Sequence, residues 1–169
     1  MGNEMELSKD SLSWDQYFYE DTYKVARKAK DPSRKTGAIA TRDNVQVMAG
    51  FCGFPVGIND TIEARYDRSV KNLYTVHAEA NIVAIAAREG IRLKGSTVYC
   101  NLYPCIHCAN LLIQAGIVRV VCKKLGENPL RNEIYRFDLA REVMLEAGLE
   151  ICEIDDEHAN NRDAPCGCH

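Results

Sequence analysis

The sequence predicts an α/β fold, a five-stranded mixed sheet between layers of helices, on three observations. Apolar segments follow one another in the order α β β α β α β α β. The first two strand segments are separated only by Arg42-Asp43-Asn44, whereas the later strands alternate with helices. A tight turn makes an antiparallel pair and a helical crossover joins parallel neighbours, so the last two strands should run parallel, as should the pair before them.

The opening helix is carried by SWDQYFYEDTYKVARKAKDP, with Ser13 as N-cap, Tyr17, Val25 and Ala29 spaced near multiples of four, and Asp31-Pro32 as its stop. TGAIAT and VQVMAGFC are the two strands of the hairpin. From Gly53 to Thr75 the chain turns irregular, with Gly53, Pro55, Gly57, Asn59 and Asp60 as breakers. A connection of that length inside a compact domain is usually functional or mobile. HAEANIVAIAAREG is a strong alanine-rich helix ended by Gly90, STVYCN a strand, CIHCANLLIQAG a helix ended by Gly116, and IVRVVC a strand. PLRNEIYRFDLAREVMLEAG reads as one long final helix and LEICEI as the last strand, which gives a domain over 1–154 and a loosely held tail over 155–169.

Composition excludes several classes. The chain has 169 residues, 46% hydrophobic, which is one domain with a self-sufficient core. No apolar run of about 18 residues is present, and MGNEMELSKDSLSWD is polar and acidic, so neither a membrane span nor a leader is expected and the location is cytoplasmic. The net charge is -3 with no basic stripe, which argues against a nucleic-acid partner. Eight cysteines without a secretion signal point to metal binding or burial rather than disulfides, and Cys100, Cys122 and Cys152 fall in strands as small core residues.

The stretch LYPCIHC places three metal-ligating side chains within four residues. Cys105 and Cys108, at i and i+3 of a helix, face one way, while His107 points elsewhere. A helix N-terminus favours thiolates and a catalytic zinc takes three protein ligands, so VHAEANIV supplies the third, His77, and leaves Glu79 for proton transfer. A lone Cys-x-x-Cys or His-Ala-Glu is a weak signal; together they match the H-x-E…P-C-x-x-C signature of zinc-dependent base deaminases.

From SWDQYF through DPSRKTGAIA, AGFCGFPVGIND, VHAEANIVAIAA and LYPCIHCANLLIQAGI, the chain resembles the deoxycytidylate (dCMP) deaminase family of the cytidine deaminase superfamily. The resemblance implies that family's three-layer fold and a Zn2+-dependent attack of hydroxide on C4 of cytosine. Glu79 would shuttle the proton and dCMP would become dUMP plus ammonia. It also implies a pocket of Cys52, Ala78, Tyr103, Pro104, Lys35 and Thr36, a homo-oligomer such as a hexamer, and regulation by dCTP or dTTP with Mg2+. Cationic and loop residues Arg34, Gly53, Phe54, Arg65, Arg68 and Lys71 are the expected phosphate or effector contacts. The family commonly has Gly-Tyr-Asn-Gly where this chain has Gly50-Phe51-Cys52-Gly53, and a thiol is a weak hydrogen-bonding group. A 5-modified substrate, 5-methyl-dCMP or 5-hydroxymethyl-dCMP, is therefore the alternative to dCMP. A polynucleotide base deaminase would need a basic surface, and a non-enzymatic zinc module would close its site with a fourth protein ligand. Cys166, Cys168 and His169 are read as part of the flexible tail.

Overall fold

The computed structural model describes residues 11–126 and 129–155. Its sheet runs β2-β1-β3-β4-β5, built from β1 (Gly37–Arg42), β2 (Val45–Phe51), β3 (Thr97–Cys100), β4 (Arg119–Lys123) and β5 (Glu150–Ile154). β1 pairs antiparallel with β2 and β3, and the β3–β4 and β4–β5 pairs are parallel, as the connections predict. Asp43 and Asn44 sit at φ 52° and 58°, the backbone a two-residue hairpin needs to match strand twist. β1 lies inside the sheet and is buried along all but its last residue, which is why GAIAT reads as an unbroken run of small residues.

Strand alternation sorts side chains into two cores. Ile39, Tyr99 and Val121 face α1 (Trp14–Ala26), whose Phe18 and Tyr19 close that layer. Ala38, Ala40, Val98, Cys100, Val120 and Cys122 face the other way. Their small side chains let α3 (Ala78–Glu89), α4 (Ile106–Gln114) and α6 (Phe137–Glu146) pack on that face through Ile82, Leu112 and Met144. Where α3 crosses β2 the backbones nearly touch: a Cβ at Gly50 would stand 2.7 Å from the Ala78 carbonyl oxygen.

Two helices depart from the sequence expectation. α1 begins at the reciprocal cap between Ser13 and Gln16 but ends at Ala26, well before Asp31-Pro32. Lys28 and Ala29 donate to carbonyls three residues back, and this tightening lets the chain leave the helix early and loop to the start of β1. The expected long last helix is two, α5 (Pro129–Tyr135) and α6, broken at Arg136 with φ 47°. Asn132 holds the break from both sides: its carbonyl takes the Arg136 N–H at 2.8 Å and its Oδ1 takes the Asp138 N–H at 3.1 Å. A left-handed arginine costs about 1–2 kcal/mol, and the kink turns Tyr135 and Phe137 toward one cavity.

The long connection after β2 contains a 3-10 turn (Glu63–Tyr66) and α2 (Lys71–Tyr74). Gly53 and Val76 exchange backbone hydrogen bonds, so the excursion returns to its starting point just before His77. Among the described residues no helix is long and apolar enough to cross a membrane. The Cys166, Cys168 and His169 group lies outside the described residues.

One ion-pair network fastens α1 to the sheet. Asp15 receives both terminal guanidinium nitrogens of Arg119 at 2.7 Å and the Tyr99 hydroxyl at 3.0 Å, while Arg119 Nε donates to Glu150. The Arg119 hydrogen bonds hold the Asp15 carboxyl below its ordinary range. A carboxylate depressed on folding stabilises the fold above its unfolded pKa, and that stabilisation is lost as the pH falls through the folded value. Arg119→Ala should therefore destabilise by about 1 kcal/mol at neutral pH, solvent screening of the half-exposed Asp15 keeping the figure small. Denaturant titrations of both proteins should converge as the pH drops below about 4.

Candidate active site

The site lies beyond the carboxyl ends of β2 and β3, where the chain enters α3 and α4. His77 is the N-cap of α3 and Cys105 the N-cap of α4, both with extended backbone, and neither side chain caps its own helix. Both instead point at each other across the gap between the helices, and Cys108 joins them from the first turn of α4. His77 Nδ1 lies 3.4 Å from Cys105 Sγ and 3.5 Å from Cys108 Sγ, and the three ligand atoms fall within 4.8 Å of one another. Tetrahedral zinc, with Zn–S about 2.3 Å and Zn–N about 2.0–2.1 Å, sets nitrogen and sulfur about 3.5 Å apart, so this donor set fits it. Two helix N-termini converge here and favour the thiolate charge that a metal requires. Among the described residues no fourth donor joins the cluster. His107 is exposed and takes no part.

The sulfurs titrate as a pair. Hydrogen bonding from Cys108, with help from His77, lowers the Cys105 thiol well below its ordinary value, while the bond to Cys105 and burial push Cys108 up. The bond to Cys105 likewise raises His77. Glu79, in the first turn of α3, is 3% exposed, and burial pushes its carboxyl above the ordinary carboxylate value. Its Oε2 accepts from the Cys108 thiol at 3.7 Å.

His77, Cys105 and Glu79 open onto a cavity of about 580 Å³, mouth included. Of the residues expected in the pocket, Thr36, Cys52 and Tyr103 line it, whereas Lys35, Ala78 and Pro104 do not. Ala78 and Pro104 are buried behind the wall, and Lys35 is exposed, with its carbonyl accepting from Asn101. Burial pushes the Cys52 thiol up to about 12, so it faces the cavity as a neutral group. Of the expected cationic contacts, Arg34 and Lys71 reach the cavity. The Lys71 ammonium is held by Asp31 at 2.8 Å and Ser33 at 2.6 Å. Arg65 lies over the Tyr74 ring and donates to the Asn59 carbonyl, and neither it nor Arg68 lines the cavity. Gly53 and Phe54 line a second, neighbouring cavity.

Sequence reasoning missed Arg131, Tyr135 and Phe137, which complete the wall. The Tyr135 ring centroid lies 6.1 Å from that of His77, and Phe137 stands edge-on to Tyr103. The Arg131 guanidinium lies 5.4 Å from the Phe137 ring centre. Burial, then the nearby Arg34, hold its pKa below the ordinary arginine value. Two arginines from segments almost a hundred residues apart thus line one cavity with His77, Cys105 and Glu79.

The family model for the cytidine and deoxycytidylate deaminase zinc-binding region matches residues 12–124. A deaminase of Aliivibrio fischeri, from the luxG 3' region, is 33% identical over 138 residues, covering 82% of this chain and 91% of that one. The deoxycytidylate deaminase of Mus musculus is 38% identical over 120 residues, covering 66% and 65%. Against that mouse protein and its relatives of the same name in Drosophila melanogaster and Homo sapiens, the chain spans 60–65% of their length. Among solved structures, the dCMP deaminase of cyanophage S-TIM5 in complex with dCMP and dUMP aligns with a TM-score of 0.66 at 22% identity, over 82% of this chain and 95% of that one. At that identity the likeness is one of fold, and the five-stranded sheet with its helices is the shared element.

Proposed function

The chain belongs to the deoxycytidylate (dCMP) deaminase family of the cytidine deaminase superfamily, and from that premise we propose that it hydrolyses dCMP to dUMP and ammonia. The observation that carries the reading is the cavity lined together by His77 and Cys105 of the donor cluster, the buried Glu79, Arg34 and Arg131, with Cys108 completing the cluster behind them. His77, Cys105 and Cys108 would hold Zn2+, whose Lewis acidity makes water a nucleophile near neutral pH.

Glu79 takes a proton from the water as it adds to C4 of the cytosine and delivers that proton to ring N3. It then carries the second proton to the exocyclic nitrogen, which leaves as ammonia while the C4 carbonyl forms. Cys52, Thr36 and Tyr103 wall the pocket together with the aromatic rings of Tyr135 and Phe137. Arg34 and Arg131 pair with the phosphate dianion, a match for planar guanidinium donors. Gly53 and Phe54 line the second cavity with Lys28 and Lys30, and there a dCTP or dTTP effector with Mg2+ would bind. Assembly as a hexamer completes the proposal and is checked by light scattering with and without dCTP.

The test is ammonia release by zinc-loaded protein on dCMP, 5-methyl-dCMP, 5-hydroxymethyl-dCMP, deoxycytidine and dCTP. The expected order puts dCMP first; fastest turnover of a 5-modified nucleotide would reassign the substrate, and failure on all five would end the pyrimidine reading. Arg131→Ala should raise the KM for dCMP about 10–100-fold, the worth of lost charge-assisted hydrogen bonds, with a smaller change for deoxycytidine.

A further inference from the structure

Asn101 lies just past β3, 3% exposed, and lines neither described cavity. Its amide nonetheless makes two long-range hydrogen bonds: Oδ1 accepts from the Gly37 N–H at 3.0 Å, and Nδ2 donates to the Lys35 carbonyl at 3.2 Å. The side chain therefore straddles Thr36 and, with the Asn101 backbone N–H that donates to the Gly37 carbonyl at 3.4 Å, carries the β1–β3 contact beyond the ladder, whose last pair is Ala38 and Cys100. Thr36 is gripped from the other side as well, since its carbonyl accepts the Cys52 N–H at 2.9 Å. Gly37 is pressed against α1, where an added Cβ would collide with the Thr22 carbonyl and stand 2.6 Å from the Ala26 nitrogen.

The two segments tied by this amide carry different halves of the cavity. On one side, Arg34 and Thr36 form part of its wall; on the other, Leu102, Tyr103 and the donor Cys105 follow within four residues of Asn101. We propose that Asn101 is a positioning residue that fixes the phosphate-side wall, through Lys35 and Gly37, relative to the loop that carries Cys105. The inference rests on the nucleotide reading above and adds a residue that touches no substrate. A substrate held at one end by a guanidinium and at the other by the reacting centre gains rate only when both ends are in register, and a misplacement of about 1 Å costs on the order of a hundredfold.

The experiment compares kcat/KM for dCMP and for deoxycytidine in wild type, Asn101→Ala and Asn101→Asp, each assayed for zinc content and thermal midpoint. Asn101→Ala should reduce the dCMP-to-deoxycytidine ratio at least tenfold, mostly through dCMP, at wild-type zinc content. Asn101→Asp keeps the acceptor for Gly37 and loses the donor for Lys35, so its ratio should fall between the two; it alone decides if the alanine variant does not fold. An unchanged ratio, or equal loss on both substrates in step with lost stability, overturns the positioning role. A wild type that does not prefer dCMP overturns the nucleotide reading and this inference with it, and that result is read before any variant is made.

Discussion

Glu79→Gln should lower kcat on dCMP by about 10³–10⁴-fold while zinc content stays at one ion per chain. The substitution keeps the shape of the side chain and removes only its ability to accept and return a proton, which is worth up to about 10⁴-fold in general acid–base catalysis. Glu79 follows His77 by two residues in the same helical start but is not among the clustered donors, so the metal should remain. Stability separates this from simple damage. Burial already disfavours the ionised form of Glu79, so a neutral amide relieves a cost and the thermal midpoint should hold or rise. Zinc analysis, melting and steady-state kinetics on one preparation make the check. Turnover within tenfold of wild type would remove Glu79 from the chemistry and assign the proton transfer to another group.

The grouping of His77, Cys105 and Cys108 was legible in the sequence because its signal is local. The i, i+3 spacing of Cys105 and Cys108 and the helix start at His77 are short-range facts, and His107 could be set aside on the same periodicity. Strand directions were legible for a related reason: a tight turn makes an antiparallel pair and helical crossovers join parallel ones. The cavity's outer wall was not. PLRNEIYRFDLAREVM carries an unbroken helical pattern, and its break at Arg136 is fixed by Asn132 bonding on both sides and by aromatic packing of Tyr135 and Phe137 around the site. An arginine gives no sign in sequence that its backbone will be left-handed; the only hint is the aromatic pair flanking it. Lys71 reaches the cavity as expected, but nothing in the sequence signals that Asp31, forty residues away, would hold its ammonium there.

Cys105→Ser should abolish zinc retention and turnover together and lower the thermal midpoint by roughly 5–10 °C, the scale of losing about 2–4 kcal/mol of bound-metal stabilisation in a domain of this size. The cause is the convergence of two helix N-termini on one point. Without the ion, the imidazole lies 3.4 and 3.5 Å from the two sulfurs, and that imidazole and the two helix N-termini are left to offset the charge of a thiolate there. Chelator-treated wild type should reproduce the lowered midpoint and recover with added zinc, whereas the serine variant should not recover. Because protons compete for all three donors, zinc should be lost from wild type as the pH is lowered and not as it is raised through neutrality. His107→Ala is the matched control: it removes a neighbouring metal-ligating side chain that is exposed on α4, and zinc, midpoint and activity should all persist. If the chelated protein melted with the native one, the helix ends would be held by packing alone. Equal loss of zinc in His107→Ala would instead give the ion a ligand that the geometry of α4 turns away from it.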